Sequence, residues 1–127
     1  MHTTDPLATV RDILGRIQTA ADTRDVDAAS ALFADDAVLM GSASTSVGAP
    51  AIRDYLGLVF DQPGTIRWDW DDVQVVYDGA GVVAATGTGQ VGFTDDPERD
   101  PFRLSLLLVE AGQGWLIGHF HGSLPAG

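Results

Sequence analysis

The sequence predicts an α+β fold, and three observations carry that prediction. Apolar residues in the first half recur at spacings of three and four, the period of a helix with one buried face. From about residue 65 onward they alternate, the period of a strand. The change of period happens once, so helices and strands are segregated rather than interleaved. Three N-terminal helices are therefore expected to pack on one face of a curved, mainly antiparallel sheet. The chain of 127 residues suits a single domain, taken as 1–127.

Thr4-Asp5-Pro6 starts the first helix: a capping side chain, then proline at the first helical position. Leu7, Val10, Leu14, Ile17 and Ala21 share one face, and Ile13 widens it. Gly15 weakens this helix by about 1 kcal/mol relative to alanine, so packing must hold it. Asp25 caps a second, short helix whose apolar face is Val26, Ala29, Leu32 and Phe33. Asp35-Asp36 ends it and opens a turn, and Ala37 to Met40 reads as a short strand. Gly41 to Gly48 is a loop rich in Ser, Thr and Gly. Ala49-Pro50 opens the third helix, with Ile52, Tyr55, Leu56, Val59 and Phe60 on one face; Pro63-Gly64 breaks it.

Four strands then form a meander. In the first, Ile66, Trp68 and Trp70 alternate with Arg67, Asp69 and Asp71. Past Asp71-Asp72 the apolar phase moves to Val73 and Val75, as a β-bulge would make it. Asp78-Gly79-Ala80-Gly81 is a hairpin turn into a strand over 82–93. A charged loop over 94–101 precedes a strand over 102–110, a turn over 111–114 and a last strand over 115–123. Parity places Leu104, Leu106 and Leu108 on the helix side, with Leu116, Phe120 and Leu124. The opposite face carries Trp115, Ile117, His119, His121 and Ser123, with Arg103, Ser105, Leu107 and Val109 on the strand before. That face is too apolar for bare solvent, so a homodimer is expected on it, centred on Trp115 and Ile117.

Composition excludes several functions. The net charge is −11 and every basic residue is arginine, so nucleic acid and anionic membrane surfaces are not expected partners. Without cysteine there is no disulfide, thiolate zinc site or thiol nucleophile. No apolar run approaches the roughly 20 residues that span a bilayer, and the start does not read as a signal peptide. A cytoplasmic protein is expected, and the abundance of Ala, Gly, Asp and Arg points to a GC-rich bacterial genome.

The helical half carries Ala31-Leu32-Phe33-Ala34-Asp35-Asp36-Ala37 and Gly48-Ala49-Pro50-Ala51-Ile52. It resembles the NTF2-like superfamily, which includes the SnoaL-like polyketide cyclases, ketosteroid isomerase and limonene epoxide hydrolase. The ending Trp115…His119-Phe120-His121-Gly122-Ser123-Leu124-Pro125, after Arg103-Leu104-Ser105, is similar to one SnoaL-like subgroup. That subgroup is related to the association domain of calmodulin-dependent kinase II. The resemblance covers nearly the whole chain. It implies an NTF2-like cone with a pocket at the wide end and dimers formed through the sheet.

It implies chemistry less directly, because one fold hosts many functions. Ketosteroid isomerase needs a carboxylate base, and the matching position here is Gly41, so that activity is not expected. Asp35 and Asp36 read as turn formers. Arg67 and Asp69, with Asp71, are either a fragment of the epoxide hydrolase Asp-Arg-Asp site or a solvated ladder. His119 and His121 could serve as general bases or bind a metal, but no third ligand is evident and no metal is expected. Otherwise they hydrogen-bond within the dimer face or to Ser123. The association domain carries basic residues in its pocket; the matching Gly87, Leu106 and Gly122 have no charge.

The candidate ligand contacts are Tyr55, Trp68, Trp70, Leu106 and Phe120. The expected function is a pocket for a small hydrophobic molecule, needing no cofactor. If catalytic, it would be a cyclase or isomerase of secondary metabolism. The alternative is a non-catalytic ligand-binding or dimeric assembly module.

Overall fold

The computed structural model describes residues 5–41, 44–112 and 114–124. Thr4, Gln113 and Pro125, which figure in the sequence reading, lie outside them. The order is α1 (Pro6–Asp22), α2 (Val26–Ser30), β1 (Phe33–Met40), β2 (Thr45–Val47), α3 (Ala49–Phe60), β3 (Ile66–Gly79), β4 (Val82–Phe93), β5 (Asp100–Ala111) and β6 (Gly114–Ser123). Six strands form one sheet in the order β2-β1-β6-β5-β4-β3. Only the β1–β6 pairing is parallel. The sheet is curved and carries the helices on its inner face, an α+β arrangement.

Local chemistry sets the helix ends. The Asp5 carboxylate accepts from the Leu7 N–H at 3.0 Å, with Pro6 at the first helical position. Asp25 does the same for Ala28. Arg24 lies between α1 and α2, and its guanidinium donates to the carbonyls of Phe60, Gln62 and Gly64. Those carbonyls lie at and beyond the C-terminus of α3, where carbonyls lack helical partners and a cation is favourable. One side chain thus ties the end of α3 to the end of α1.

The core lies between the helices and the inner sheet face. Val10, Ile13, Leu14 and Ile17 of α1 and Ile52, Leu56 and Phe60 of α3 meet Leu104, Leu106 and Leu108 of β5. Gln18 fixes α1 to the sheet edge. Its amide accepts from the Trp68 N–H and donates to the Ile66 carbonyl, each at 2.9 Å. Part of the open backbone of edge strand β3 is thereby satisfied by α1.

α2 ends at Ser30, so Leu32 lies in a turn and Phe33 in β1 rather than on the face of that helix; beyond this, the structure corrects the sequence reading in three places. Asp35 and Asp36 sit inside β1 rather than in a turn. Phe33 already pairs with Ile117, and the register slips before Val38 pairs with His119, so the acidic pair occupies an irregular, exposed stretch. The expected loop over 41–48 contains β2, whose three residues pair with Val38, Leu39 and Met40; a strand so short leaves no periodicity to read.

The third correction concerns the last strand. Leu107 pairs with His119 but Leu108 pairs with Ile117, which leaves Gly118 as an extra residue. The bulge inverts the parity of everything before it. Ile117 is 0% exposed and Trp115 packs on the core, so neither is the centre of an outer surface. Leu116 faces outward opposite Val109 instead. His119 and His121 stay on the outer face, opposite Leu107 and Ser105.

The predicted bulge in β3 is present: pairing slips between Trp70 and Asp72, and again between Val75 and Tyr77. Across from the first slip lies Gly89, opposite Trp70. A Cβ there would sit inside the Asp69 carbonyl oxygen, so strand backbone would have to move. Gly89→Ala is therefore expected to lower stability by about 1–3 kcal/mol, the range for overpacking. Urea denaturation measures it, and an unchanged midpoint would contradict the close approach.

Candidate functional site

The helices cover the sheet unevenly, and between α1, α3 and the sheet a cavity of about 420 Å³ remains. That volume lies within the range of small-molecule sites. Its walls come from distant parts of the chain. The deep part is formed by Ile17, Phe33, Leu39, Leu56 and Phe120, all buried. Tyr55 and Val59 enter from α3, and Ile66 and Trp68 from β3. The helical spacing of four puts Tyr55 and Val59 on one face.

Two glycines shape this space. A Cβ at Gly41 would stand 3.0 Å from the Tyr55 hydroxyl oxygen. Gly41 thus leaves room over the phenol where a larger residue would cover it. At Gly122 a Cβ would run into the rings of Phe102 and Phe120. Those rings close over the strand, so no charged side chain can rise from that position without displacing them.

The polar content is small. The Tyr55 hydroxyl has no hydrogen-bond partner among the described residues. Burial raises its pKa above the usual 10.0. The phenol therefore stays protonated up to at least pH 10 and can donate a hydrogen bond throughout the ordinary range. The sign for stability follows: the neutral form is favoured by folding, so this contribution is full below pH 10 and declines above it. The other ionisable groups on the lining, Asp96, Glu98 and Asp100, are exposed at the rim.

The residues singled out from sequence fall into three sets. Tyr55, Trp68 and Phe120 line the cavity. Trp70 and Leu106 do not. Trp70 packs on Phe102, with ring centroids 5.9 Å apart, and lies on a second hollow beside Leu14 and Gln18 of α1. Leu106 is 2% exposed within the core, screened from the cavity. The weak catalytic candidates lie outside the cavity lining: Asp69 is exposed, Arg67 lies 4.0 Å from Asp22, and His119 and His121 are on the outer sheet face. No group of three or more metal-ligating side chains occurs among the described residues.

Sequence reasoning missed Phe33, Gly41 and the acidic rim as parts of one site. The rim had a signal, a charged loop with two prolines, but nothing in the chain order says that this loop returns to the mouth of the cavity.

Comparison with known proteins agrees with this architecture. The family model described as a SnoaL-like domain matches residues 10–127. No curated protein matches the chain. Among solved structures, an NTF2-like protein of unknown function from Pseudomonas putida superposes with a TM-score of 0.83 at 20% identity, over 98% of this chain and 92% of that one. ActVI-ORFA from Streptomyces coelicolor gives 0.78 at 19% identity, over 95% and 98%. A provisional calcium/calmodulin-dependent protein kinase type II association domain from Thiobacillus denitrificans gives 0.75 at 17%, over 93% and 96%. At such identities the likeness is one of fold.

Proposed function

Because the chain belongs to the SnoaL-like domain family, we propose that its cavity is a binding site for a small hydrophobic molecule that carries a hydrogen-bond acceptor. The observation that carries this reading is an apolar cavity in which the half-buried Tyr55 hydroxyl has no partner among the described residues. Apolar walls supply affinity, and a single well-placed donor supplies orientation. Trp68 and Phe120 offer faces to an aromatic ligand, and Tyr55 donates to its carbonyl or ether oxygen. No cofactor is required. If chemistry occurs, it is that of a cyclase or isomerase, with Tyr55 as the acid that meets developing oxyanion charge. A second reading, binding without turnover, is favoured by Gly41, which leaves no carboxylate beside Tyr55 to act as base.

A thermal-shift panel of neutral aromatic ketones tests the proposal. A ligand at 100 times its Kd should stabilise the fold by about 2.7 kcal/mol. Tyr55→Phe should weaken binding by about tenfold, the worth of one hydrogen bond. A panel without a stabilising compound counts against the site, and unchanged affinity in Tyr55→Phe counts against the donor.

We propose further that the protein acts as a homodimer in the bacterial cytoplasm. No helix among the described residues is long and apolar enough to cross a membrane. The outer sheet face supports a self-association surface. Val82, Leu107, Val109 and Leu116 are half-buried neighbours there, with His119, His121 and Ser105 beside them. A monomeric mass in light scattering at micromolar concentration would remove the dimer.

A further inference from the structure

The mouth of the cavity has a charge that its walls do not. Asp96, Glu98 and Asp100 stand on its lining, and no arginine does. None of the three carboxylates forms an ion pair among the described residues. The nearest cation in sequence is Arg99. Its guanidinium lies over Gly92, where a Cβ would touch it, and donates to the carbonyls of Phe93, Asp96 and Glu98 at 3.4, 2.9 and 3.1 Å. Arg99 therefore braces the loop from within, through bonds that its Nη1 makes to backbone. The Asp96 carboxylate accepts from the Glu98 N–H at 2.9 Å, which further sets the loop. Asp95, the remaining acid of this loop, points toward Gly64 instead.

Resting on the binding site proposed above, we propose that it selects by charge: it takes hydrophobic amines, and after them neutral molecules, and rejects hydrophobic carboxylates and phosphates. An ammonium group on an apolar body can leave that body against Trp68 and Phe120 while its charge remains hydrated at the rim. There it meets three carboxylates at close range. An anion of the same shape finds no cation on the lining and is repelled by the three rim carboxylates and by the net charge of −11. Buried deeper, it would lose its hydration without compensation.

The test is a matched set on the intact chain: 1-naphthylmethylamine, 1-naphthylmethanol and 1-naphthoate, with affinities from calorimetry at low salt. The amine should bind about tenfold tighter than the alcohol, the carboxylate should be weakest, and added salt should shrink the spread. The variant Asp96→Asn/Glu98→Gln/Asp100→Asn should lose the preference for the amine over the alcohol. Glu98→Gln alone should lose part of it. A variant with the same change of net charge made elsewhere, Asp36→Asn/Asp78→Asn/Glu110→Gln, should keep it. Alcohol binding without an amine preference, or a preference that survives the rim variant, overturns the charge selection and leaves the pocket standing. Failure of all three probes to bind overturns both.

Discussion

Ile117→Ala should lower the free energy of unfolding by about 2–5 kcal/mol, as deletion of a fully buried aliphatic side chain does. Ile117→Asp should leave no stable fold, because a carboxylate would replace a side chain that is 0% exposed between β5 and β1. The neighbouring Leu116→Ala should cost less, since Leu116 is half-buried on the outer face. His119→Ala, on the same outer face, should move stability by no more than about 0.5 kcal/mol. The ranking matters more than any one value. It follows from the bulge at Gly118, and plain alternation along the strand would reverse Ile117 and Leu116. Urea denaturation of the three alanine variants decides it: a larger loss for Leu116 than for Ile117 would mean that the strand has no bulge there.

Gly41→Leu should abolish ligand binding, by about 100-fold or more, while leaving the fold intact. The position lies at the end of β1, and its Cβ would face the Tyr55 hydroxyl at 3.0 Å. The backbone there needs no left-handed conformation, so leucine brings no strain of that kind. Four added carbons would occupy cavity space and cover the Tyr55 hydroxyl. Isothermal titration with a neutral aromatic ketone measures the loss. Affinity within about threefold of the parent protein would place the ligand elsewhere.

The contrast between these two positions shows what the chain discloses by itself. The helix periods of α1 and α3, the caps at Asp5 and Asp25 and the slip after Asp71 are local patterns, and each is realised. The face of β6 depends on a bulge that leaves no mark in the sequence beyond one glycine among several. Parity counted from the end of the strand, through Phe120, gives His119 and His121 correctly. Carried across Gly118, it misplaces Trp115 and Ile117. A short edge strand such as β2 is hidden for a different reason, since three residues of Thr, Ser and Val fit a loop equally well.

The site is less legible than the fold because it is assembled over long separations. Tyr55 could be named as an aromatic with a polar handle on an amphipathic helix. Its relation to Gly41 required coordinates, and so did the approach of Asp96, Glu98 and Asp100 to the same opening. Trp70 carries the same pattern as Trp68 two residues away. The curvature of β3 and the packing of Phe102 direct it away from the cavity. Alternation places a side chain on a face, but it does not say whether that face is core or cavity at a given height.

Methyl-resolved NMR during titration with 2-acetylnaphthalene shows whether the cavity beneath α3 takes a small apolar molecule. Saturable shifts are expected at the methyl groups of Ile17, Leu39, Val59 and Ile66, absent in Gly41→Leu. Shifts confined to Leu107, Val109 and Leu116 on the outer face, or no saturable shifts at all, would contradict it.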